Sequence, residues 1–594
     1  MSKNKKPAKV TKETNLKQSL LKLFNYIKRY LPLIIPALIL AIISSIFSII
    51  GPDKLSDITD EITKGLITGI NLDKVKEIGI FLITIYSLGA IFSYIQGFIM
   101  AIVTNRCAKK LRTEISDKIN KLPLKYFDKN SYGDVLSRVT NDVDTIAQSL
   151  NQSLGNLVSA TTLFIGAIIM MFVTNVTMAI TAILASLIGF IIMSLILKNS
   201  QKYFNEQQKQ LGSLNGHIEE VYSGHNIVKV YNAMNEEEQE FDKINEELYK
   251  SNRKSQFLSG LMPPIMSFIG NFGYVAVCVV GALLVMNNKI TFGVIVAFMI
   301  YIRLFTNPLT QIAQALTSLQ STGAASERVF TFLEEPEMPK ETNKKVLKKE
   351  NAKGNIEFKN IEFGYDEDKT IIKNFSAKAK AGNKIAIVGP TGAGKTTMVN
   401  LLMKFYDIKK GDIIIDGISI HDLTRENVHD LFTMVLQDTW VFNGTINENI
   451  KYNNTKIPNE KVQEACKIVG LDHYIKTLSK GYDTVLNEVE SLSGGQKQLL
   501  TIARAMLEEK PFLILDEATS SVDTRTEELV QDAMDKLTNG KTSFIIAHRL
   551  STIKNADLIL VMKEGNIIEQ GNHEELLKQK GFYADLYNSQ FQKI

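Results

Sequence analysis

Near the middle of the chain the sequence reads Gly389-Pro390-Thr391-Gly392-Ala393-Gly394-Lys395-Thr396, which has the spacing G-x-x-x-x-G-K-[ST]. An apolar, strand-like run at 384–389 precedes this stretch, and a helix-forming segment at 397–402 follows it. Strand, glycine loop and helix in this order predict a phosphate-binding loop, because glycine lets backbone N–H groups close around phosphate oxygens at the positive end of a helix. We expect Lys395 to neutralise β- and γ-phosphate charge and Thr396 to hold Mg²⁺.

Two segments further along the chain add to this chemistry. The apolar run 511–515 ends in Asp516 and Glu517. At a strand end beside a phosphate loop, Asp516 can bind Mg²⁺ and Glu517 can polarise the water that attacks a γ-phosphate. Before that strand, Leu492-Ser493-Gly494-Gly495-Gln496 opens a helix and offers backbone amides and a hydroxyl to a second anion. Together the segments predict a domain that binds and hydrolyses ATP.

The first half of the chain is dominated by apolar runs. Six of them contain no Asp, Glu, Lys or Arg, at 31–50, 78–103, 157–173, 177–197, 258–286 and 290–302. Most reach the roughly 20 residues that a helix needs to cross a bilayer core, and the mildly polar segment 304–325 extends the last one. A buried helix of a soluble domain can also be apolar all round. Six such runs before residue 330 and none after it nevertheless favour six transmembrane helices.

Lysine and arginine set the predicted orientation. They are concentrated in residues 1–30 and 105–153, whereas the connections near Asn175 and Asn287 carry almost no charge. Because basic loops stay on the cytoplasmic side, we expect a multi-pass protein of the cell membrane with its C-terminal half in the cytoplasm. The net charge of +5 is small for 594 residues and gives no case for nucleic-acid binding. No removable signal peptide is predicted.

The predicted fold is an α-helical membrane domain, with six transmembrane helices and long cytoplasmic helical arms, fused to an α/β P-loop nucleotide-binding domain. Apolar and basic residues alternate over 16–30, which suits a helix at the inner membrane surface. Charges and prolines replace the apolar pattern after residue 330. The predicted boundaries are therefore 1–330 for the membrane domain, 331–353 for a linker and 354–594 for the nucleotide-binding domain, in which alternating strands and helices indicate a mainly parallel sheet.

This order of elements resembles that of an ATP-binding cassette (ABC) exporter half-transporter, in particular the subunits of bacterial multidrug exporters. The resemblance covers nearly the whole chain. Tyr126-Phe127-Asp128 and Ile218-Glu219-Glu220 are similar to the two cytoplasmic loops whose short helices dock on nucleotide domains in this family. The resemblance implies that two halves pair head to tail, so that each ATP lies between the phosphate loop of one chain and the segment Ser493–Gln496 of the other.

The resemblance also implies roles for single residues. Tyr365 would stack on adenine, Gln437 would contact Mg²⁺ or the attacking water, and His548 would bond the γ-phosphate; Asp523 would lie in a loop that crosses the dimer interface. The complete expected site has catalytic residues Glu517, His548 and Gln437; nucleotide-binding residues Tyr365, Gly389, Gly392, Gly394, Lys395, Thr396, Thr397, Ser493, Gly494, Gly495, Gln496 and Asp523; and metal-binding residues Thr396, Gln437 and Asp516.

The implied function is ATP-driven export of small amphipathic or hydrophobic compounds, of the multidrug type, by alternating access in a dimer. A proton-driven carrier would need a titratable group within the bilayer, and only Arg303 approaches that role. We place Arg303 near the inner end of the sixth span. Export of lipid or peptide stays open, as does an ATP-regulated subunit that does not transport, although Glu517 argues against the latter. A homologous second half is favoured over pairing with itself. Residues 487–491 lack a glycine that is usual in the family, so their role in coupling is also open.

Overall fold

The computed structural model describes residues 16–591 except 343, 367, 437–438, 453, 487–491, 517–523 and 547–552. Contacts divide the chain into two compact units. The membrane unit comprises the chain up to Asn120 together with Tyr132–Glu335, and the nucleotide unit comprises Lys121–Ser131 together with the chain from Pro336 onward. The eleven residues of Lys121–Ser131 therefore belong with the second unit, although they lie in the first half of the sequence. The predicted domain boundaries themselves stay a prediction.

Helices account for the first half of the chain. They are α1 Leu16–Ile27, α2 Leu31–Thr68, α3 Leu72–Lys121, α4 Leu124–Lys129, α5 Tyr132–Ser137, α6 Val143–Thr174, α7 Val176–Ser223, α8 His225–Val230, α9 Met234–Gly260, α10 Met262–Met286 and α11 Phe292–Glu334. Each predicted membrane run lies largely within one of the longer helices. The α-helical membrane domain is thereby confirmed.

Five helical stretches among the described residues are long and apolar enough to cross a membrane: Gln18–Leu66, Leu72–Lys121, Tyr132–Thr174, Ser267–Met286 and Phe292–Glu334. The fourth predicted span lies on α7. Within the described residues its apolar part is Val176–Ile188, which is shorter than a full crossing. Most side chains between 189 and 201 lie outside the described residues. A sixth crossing at α7 therefore stays a prediction.

Two helix ends differ from the sequence-based expectation. The fifth run was expected to be continuous from residue 258, but α9 ends at Gly260 and α10 begins at Met262 with prolines in its first turn. Proline lacks the N–H that a continuing helix needs, yet it is tolerated where a new helix starts. At the other end, α11 runs without interruption to Glu334, past the predicted boundary at residue 330.

The long cytoplasmic arms are extensions of the membrane helices. The helix α3 reaches Lys121, α7 reaches Ser223, and α7 packs along α9. The 27 residues of α9 span about 40 Å at 1.5 Å per residue. Such arms are long enough to hold short helices well clear of the bilayer.

A buried ion pair fixes the cytoplasmic ends of α6 and α11. Residues Arg138–Asp142 form one π-helical turn before α6, and the Asp142 carboxylate at its end is only 6% exposed. Arg328 of α11 donates from both Nε, at 2.9 Å, and Nη2 to the two oxygens of that carboxylate. The wider turn brings Asp142 to α11, and the fork of the guanidinium satisfies both of its oxygens.

The described residues of the nucleotide unit form twelve strands: β1 Ile356–Phe363, β2 Ile372–Ala379, β3 Lys384–Val388, β4 Lys410–Ile415, β5 Ile418–Ser419, β6 Phe432–Val435, β7 Gly444–Thr445, β8 Val485–Leu486, β9 Phe512–Asp516, β10 Thr542–Ile546, β11 Leu558–Lys563 and β12 Asn566–Gly571. Its helices in the described part are α12 Lys395–Leu402, α13 Arg425–Leu431, α14 Ile446–Lys451, α15 Asn459–Ile468, α16 Asp472–Thr477, α17 Gly494–Met506, α18 Thr524–Thr538, α19 His573–Gln579 and α20 Phe582–Phe591.

Ten of the strands form one sheet in the order β5-β4-β1-β2-β12-β11-β3-β10-β9-β6. The five strands from β11 to β6 run parallel, whereas β5, β4, β1 and β2 pair antiparallel. The α/β fold is confirmed, but the sheet is mixed rather than mainly parallel. The parallel strands are almost wholly buried, and Phe432 stacks on Phe512 across β6 and β9 with ring centroids 4.7 Å apart.

The Asp142–Arg328 pair yields a stability prediction. Arg328→Gln should leave the buried Asp142 carboxylate without its cation and destabilise the membrane unit by about 1–3 kcal/mol, less than for a fully buried pair because Arg328 is 56% exposed. The measurement is the midpoint of thermal inactivation in detergent. Asp142→Asn combined with Arg328→Gln should recover part of the loss, whereas Lys243→Gln, at an exposed pair, should change little. Equal midpoints for Arg328→Gln and the unchanged protein would contradict the prediction.

Candidate functional site

The phosphate-binding loop connects β3 to α12 in the middle of the parallel strands. Strand β3 pairs with β11 on one side and with β10 on the other, and Lys395 is the first residue of α12. The loop therefore lies at the carboxyl edge of the sheet, against the N-terminus of a helix. That edge is where α/β sheets bind their ligands, and the predicted strand–loop–helix context is present.

Two glycines in the loop occupy positions that no other residue fits. Gly389 has φ +154°, and a Cβ there would lie 2.2 Å from the carbonyl oxygen of Met562. Gly394 has φ +102°, and a Cβ there would lie 2.7 Å from a side-chain carbon of Ile372. The backbone thus turns within a space that excludes side chains, so its N–H groups can approach a phosphate directly. Gly392 shares the left-handed backbone, at φ +85°.

Lys395 is held by the loop itself. Its ammonium donates to the carbonyl oxygens of Gly389, at 2.7 Å, and Pro390, at 3.2 Å, and the residue is only 8% exposed. Burial lowers the pKa of the Lys395 ammonium, and the nearby Asp516 carboxylate partly offsets this change. Carbonyl dipoles carry no full charge, so the arrangement suits an ammonium that binds phosphate oxygens in exchange.

The two threonines after Lys395 face different surroundings. Thr396 is exposed, so its hydroxyl is accessible to a metal ion beside the phosphates. Thr397 is buried, and its Oγ1 accepts a 3.3 Å hydrogen bond from the hydroxyl of Tyr365. Both were predicted to bind nucleotide; the structure gives Thr397 an additional partner in Tyr365, and its contact with nucleotide stays a prediction.

Tyr365 is the centre of an aromatic cluster next to α12. Its ring makes edge-to-face contacts with Phe363, at 5.2 Å, and Tyr406, at 5.0 Å, and Asn400 donates to its hydroxyl at 3.4 Å. Such contacts fix the ring without covering all of it, since Tyr365 is only partly buried. A fixed aromatic face beside a phosphate loop is the surface that adenine stacking needs.

Tyr406 connects this cluster to the short helix α4. Its hydroxyl donates a 2.6 Å hydrogen bond to the Asp128 carboxylate, and Lys129 lies 3.7 Å from Asp366, next to Tyr365. Burial and the bond to Asp128 both raise the pKa of Tyr406, so its hydroxyl stays protonated and keeps donating. Sequence analysis noted Asp128 only as part of a family-like motif and missed Tyr406, because 278 residues separate the pair.

Asp516 is the last residue of β9 and lies opposite Ile546 of β10. Since β10 also pairs with β3, the Asp516 carboxylate is two strands from the phosphate loop. Its negative charge acts to raise the pKa of Lys395. The structure therefore brings together the phosphate loop, Lys395, Thr396, Tyr365 and Asp516. Four other predicted residues, Gln437, Glu517, Asp523 and His548, lie outside the described residues, as does the segment 487–491.

The strands that precede three of these four residues are described. Gln437 follows β6, Glu517 directly follows β9 and His548 follows β10, all of which are parallel to β3. Parallel strands end at the same edge of a sheet. The chain thus leaves each strand at the edge where the phosphate loop lies, which agrees with their predicted roles without testing them.

Ser493 caps helix α17. Its hydroxyl accepts from the Gln496 N–H at 3.3 Å, while the Gln496 side chain accepts from the Ser493 N–H at 2.9 Å. This reciprocal capping box fixes the helix end. Ser493 and Gly494 are exposed, and the first-turn N–H groups of Gly494 and Gly495 have no acceptor within the helix. The expected second anion-binding element is thus a preformed, outward-facing helix terminus.

The role of Tyr365 yields a prediction. Tyr365→Ala should weaken ATP binding about 5- to 100-fold, because stacking of one base on an aromatic ring contributes about 1–3 kcal/mol. Tyr365→Phe keeps the ring and should stay within about twofold of the unchanged protein. The measurement is titration with a fluorescent ATP analogue, with Tyr249→Ala, at an exposed tyrosine of α9, as the control. An unaltered affinity in Tyr365→Ala would rule out the stacking role.

Comparison with known families agrees with this arrangement. The family model for the ABC transporter transmembrane region matches residues 33–309, and the model described as ABC transporter matches residues 372–520. Both lie in the expected halves of the chain. The first covers the membrane helices, and the second extends from β2 past the phosphate loop and the Ser493 segment to the end of β9.

Several complete proteins are similar along most of their length. A protein named fatty acid ABC transporter ATP-binding/permease protein, from Mycobacterium bovis, is 42% identical over 87% of this chain and 82% of its own length. The uncharacterized ABC transporter ATP-binding protein YfiC from Bacillus subtilis is 38% identical over 98% and 96%. A probable multidrug resistance ABC transporter ATP-binding/permease protein, also from Bacillus subtilis, is 34% identical over 84% and 74%.

These matches confirm the predicted family, the membrane location and ATP-hydrolysing transport. The chain belongs to the ABC transporter family, as a half-transporter that joins one multi-pass membrane domain to one C-terminal ATP-binding domain.

Proposed function

We propose that this chain is one half of a dimeric exporter that uses ATP to move amphipathic or hydrophobic compounds out of the cytoplasm. The observation that carries the proposal is the buried ammonium of Lys395 in its glycine loop, on a chain whose described residues include five helical stretches suited to cross a bilayer. The names of similar proteins, which refer to fatty acid transport and to multidrug resistance, support an apolar cargo. Lipid and peptide stay open as alternative cargoes, and transport assays with lipid or peptide probes would detect them.

The residues beside the loop fit a magnesium ion. Thr396 offers an exposed hydroxyl and Asp516 a carboxylate at the end of β9, two strands away, and Mg²⁺ prefers such oxygen ligands. We assign both residues to the ion, together with Gln437. When bound, Mg²⁺ neutralises phosphate charge and orients the γ-phosphate.

The remaining groups act on the γ-phosphate and the attacking water. Lys395 exchanges its carbonyl partners for β- and γ-phosphate oxygens, and the N–H groups of the loop hold the same phosphates. Glu517, one residue beyond Asp516, polarises the water, and His548 bonds the γ-phosphate from the end of β10. Each of these groups follows or begins an element at one sheet edge, which supports a single reaction centre.

The second wall of each ATP site comes from another chain. Gly494 is exposed at the N-terminus of a capped helix, Gly495 beside it is buried, and Ser493 adds an exposed hydroxyl. We assign them to the γ-phosphate bound by the partner's loop, with Asp523 at the interface between the chains. Closure of two such sites draws the ATP-binding domains together, and hydrolysis releases them. A homologous second half is the favoured partner.

The catalytic assignment is tested at Glu517. Glu517→Gln keeps the size of the side chain but removes the carboxylate that polarises water, so ATP hydrolysis should fall at least 100-fold while ATP affinity stays within about threefold. The measurement pairs steady-state phosphate release with equilibrium ATP binding. Glu509→Gln, at an exposed carboxylate of the same unit, is the control and should keep the full rate. Equal rates in Glu517→Gln and the control would overturn the assignment.

The partner assignment is tested by mass. We expect the purified chain alone to be a 66.5 kDa polypeptide without substantial ATPase activity, because a homologous half must complete each site. The measurement is light scattering in detergent combined with an ATPase assay. An active species of twice that mass would show instead that the chain pairs with itself. Lys395→Ala in the active assembly should abolish transport in either case.

A further inference from the structure

Helix α11 carries one arginine deep within its membrane-crossing part. Arg303 lies eleven residues after the helix start at Phe292, which is about 16 Å along the axis. With a hydrocarbon core of about 30 Å, this is close to the middle of the bilayer. The apolar run stops at residue 302, so composition alone puts Arg303 near the inner end of the span, whereas α11 itself continues unbroken to Glu334.

The guanidinium of Arg303 has no partner among the described residues. The side chain is exposed, and none of the hydrogen bonds, ion pairs or ring contacts of the described chain involves it. Its neighbours Tyr301 and Ile302, in contrast, are fully buried in the helix core. Arginine keeps its charge in proteins, and an unpaired charge facing acyl chains is strongly unfavourable. Arg303 therefore belongs to a water-accessible or ligand-filled space.

Further polar residues continue the same face of α11 towards the cytoplasmic end. Asn307, Gln311 and Gln314 follow Arg303 at intervals of four, four and three residues, which places all of them within an arc of about 80°. All are exposed, and none has a hydrogen-bond partner among the described side chains. A row of unpaired amides facing lipid would be unfavourable for the same reason as the arginine.

The outer part of this face is apolar. Phe292, Val296 and Met299 precede Arg303 within about 40° of it, and each is at least partly exposed. The face is thus divided across the bilayer, with an apolar half towards the outside and a polar, cationic half towards the cytoplasm. A ligand that matches it has an apolar tail and one anionic head group.

We propose that Arg303, Asn307 and Gln311 form the head-group site for an anionic amphipathic cargo, with its tail along Phe292, Val296 and Met299. This inference rests on the proposed export function and names the charge of its substrate. The planar guanidinium bonds two oxygens of a carboxylate or a phosphate at once, and the amides donate further hydrogen bonds. A cationic amphiphile would be repelled by the same group, so the site selects by charge.

The test uses the ATP-hydrolysing assembly that contains this chain, reconstituted in inside-out vesicles. The probes are radiolabelled hexadecanoate, hexadecyl phosphate and hexadecan-1-ol, which share a tail and differ in the head group. The probe concentration that half-saturates ATP-dependent uptake should be about tenfold or more lower for one or both anions than for the alcohol. The anion with the lower value identifies the head group as carboxylate or phosphate.

Matched variants connect this preference to the residue. Arg303→Gln should raise the half-saturating concentration of the preferred anion about tenfold or more and leave that of the alcohol within about twofold. Arg303→Lys should retain most of the preference, because the charge remains. Arg253→Gln makes the same chemical change at an exposed arginine of α9 and should behave as the unchanged protein. Basal ATPase activity of Arg253→Gln should equal that of the unchanged protein.

The failures are distinguishable. If the alcohol is transported but the anions are not preferred, or if Arg303→Gln leaves the preference intact, the head-group site is overturned while export stands. If Arg303→Gln instead dissociates the assembly on size exclusion, Arg303 contacts the partner subunit, which also overturns the site. If ATP is hydrolysed but no probe crosses, the export function itself fails, and the inference with it.

Discussion

Two backbone carbonyl oxygens hold the buried ammonium of Lys395, and this one contact depends on a turn that only glycine permits. Gly389 must approach the Met562 carbonyl more closely than any side chain would allow, so the loop, the neighbouring strand β11 and the ammonium form a single tightly packed arrangement. The parallel register of β11, β3, β10, β9 and β6 then directs the segments that follow β6, β9 and β10 to the same edge. The site is therefore a property of the sheet order rather than of any one loop.

Much of this arrangement could be predicted because its signals are local. The spacing of glycines and lysine, the carboxylates after a buried strand and the charge-free runs each fall within a few dozen residues, where periodicity and motif order are informative. The bond between Tyr406 and Asp128 has no such signal, since it joins residues 278 apart. The antiparallel pairing of β1 with β2 and β4 was not predicted, because the sequence of a strand does not by itself specify its partner.

In the membrane unit, composition located the helices but not their ends. Prolines begin α10 and so divide a run that looked continuous, whereas α11 passes through Arg303 and Pro308 without stopping. A transmembrane segment defined by its apolar residues ends at its first charge, although the helix itself need not. Because α11 continues past Arg303, the end of the apolar run does not mark the end of the helix, and a charged residue within a membrane-crossing helix requires an explanation.

The hydrogen bond between Tyr406 and Asp128 limits the free energy that helix α4 can contribute to a conformational change. Adenine on Tyr365 would press against Tyr406, whose hydroxyl bonds helix α4 between the long helix α3 and α5. One exposed hydrogen bond contributes about 1 kcal/mol, and the exposed Lys129–Asp366 pair adds less. Reversing a two-state equilibrium from 1:99 to 99:1 takes about 5.5 kcal/mol. Two copies of this contact in the proposed dimer would fall short of that value, so in the proposed mechanism most of the free energy would come from closure of the ATP sites themselves.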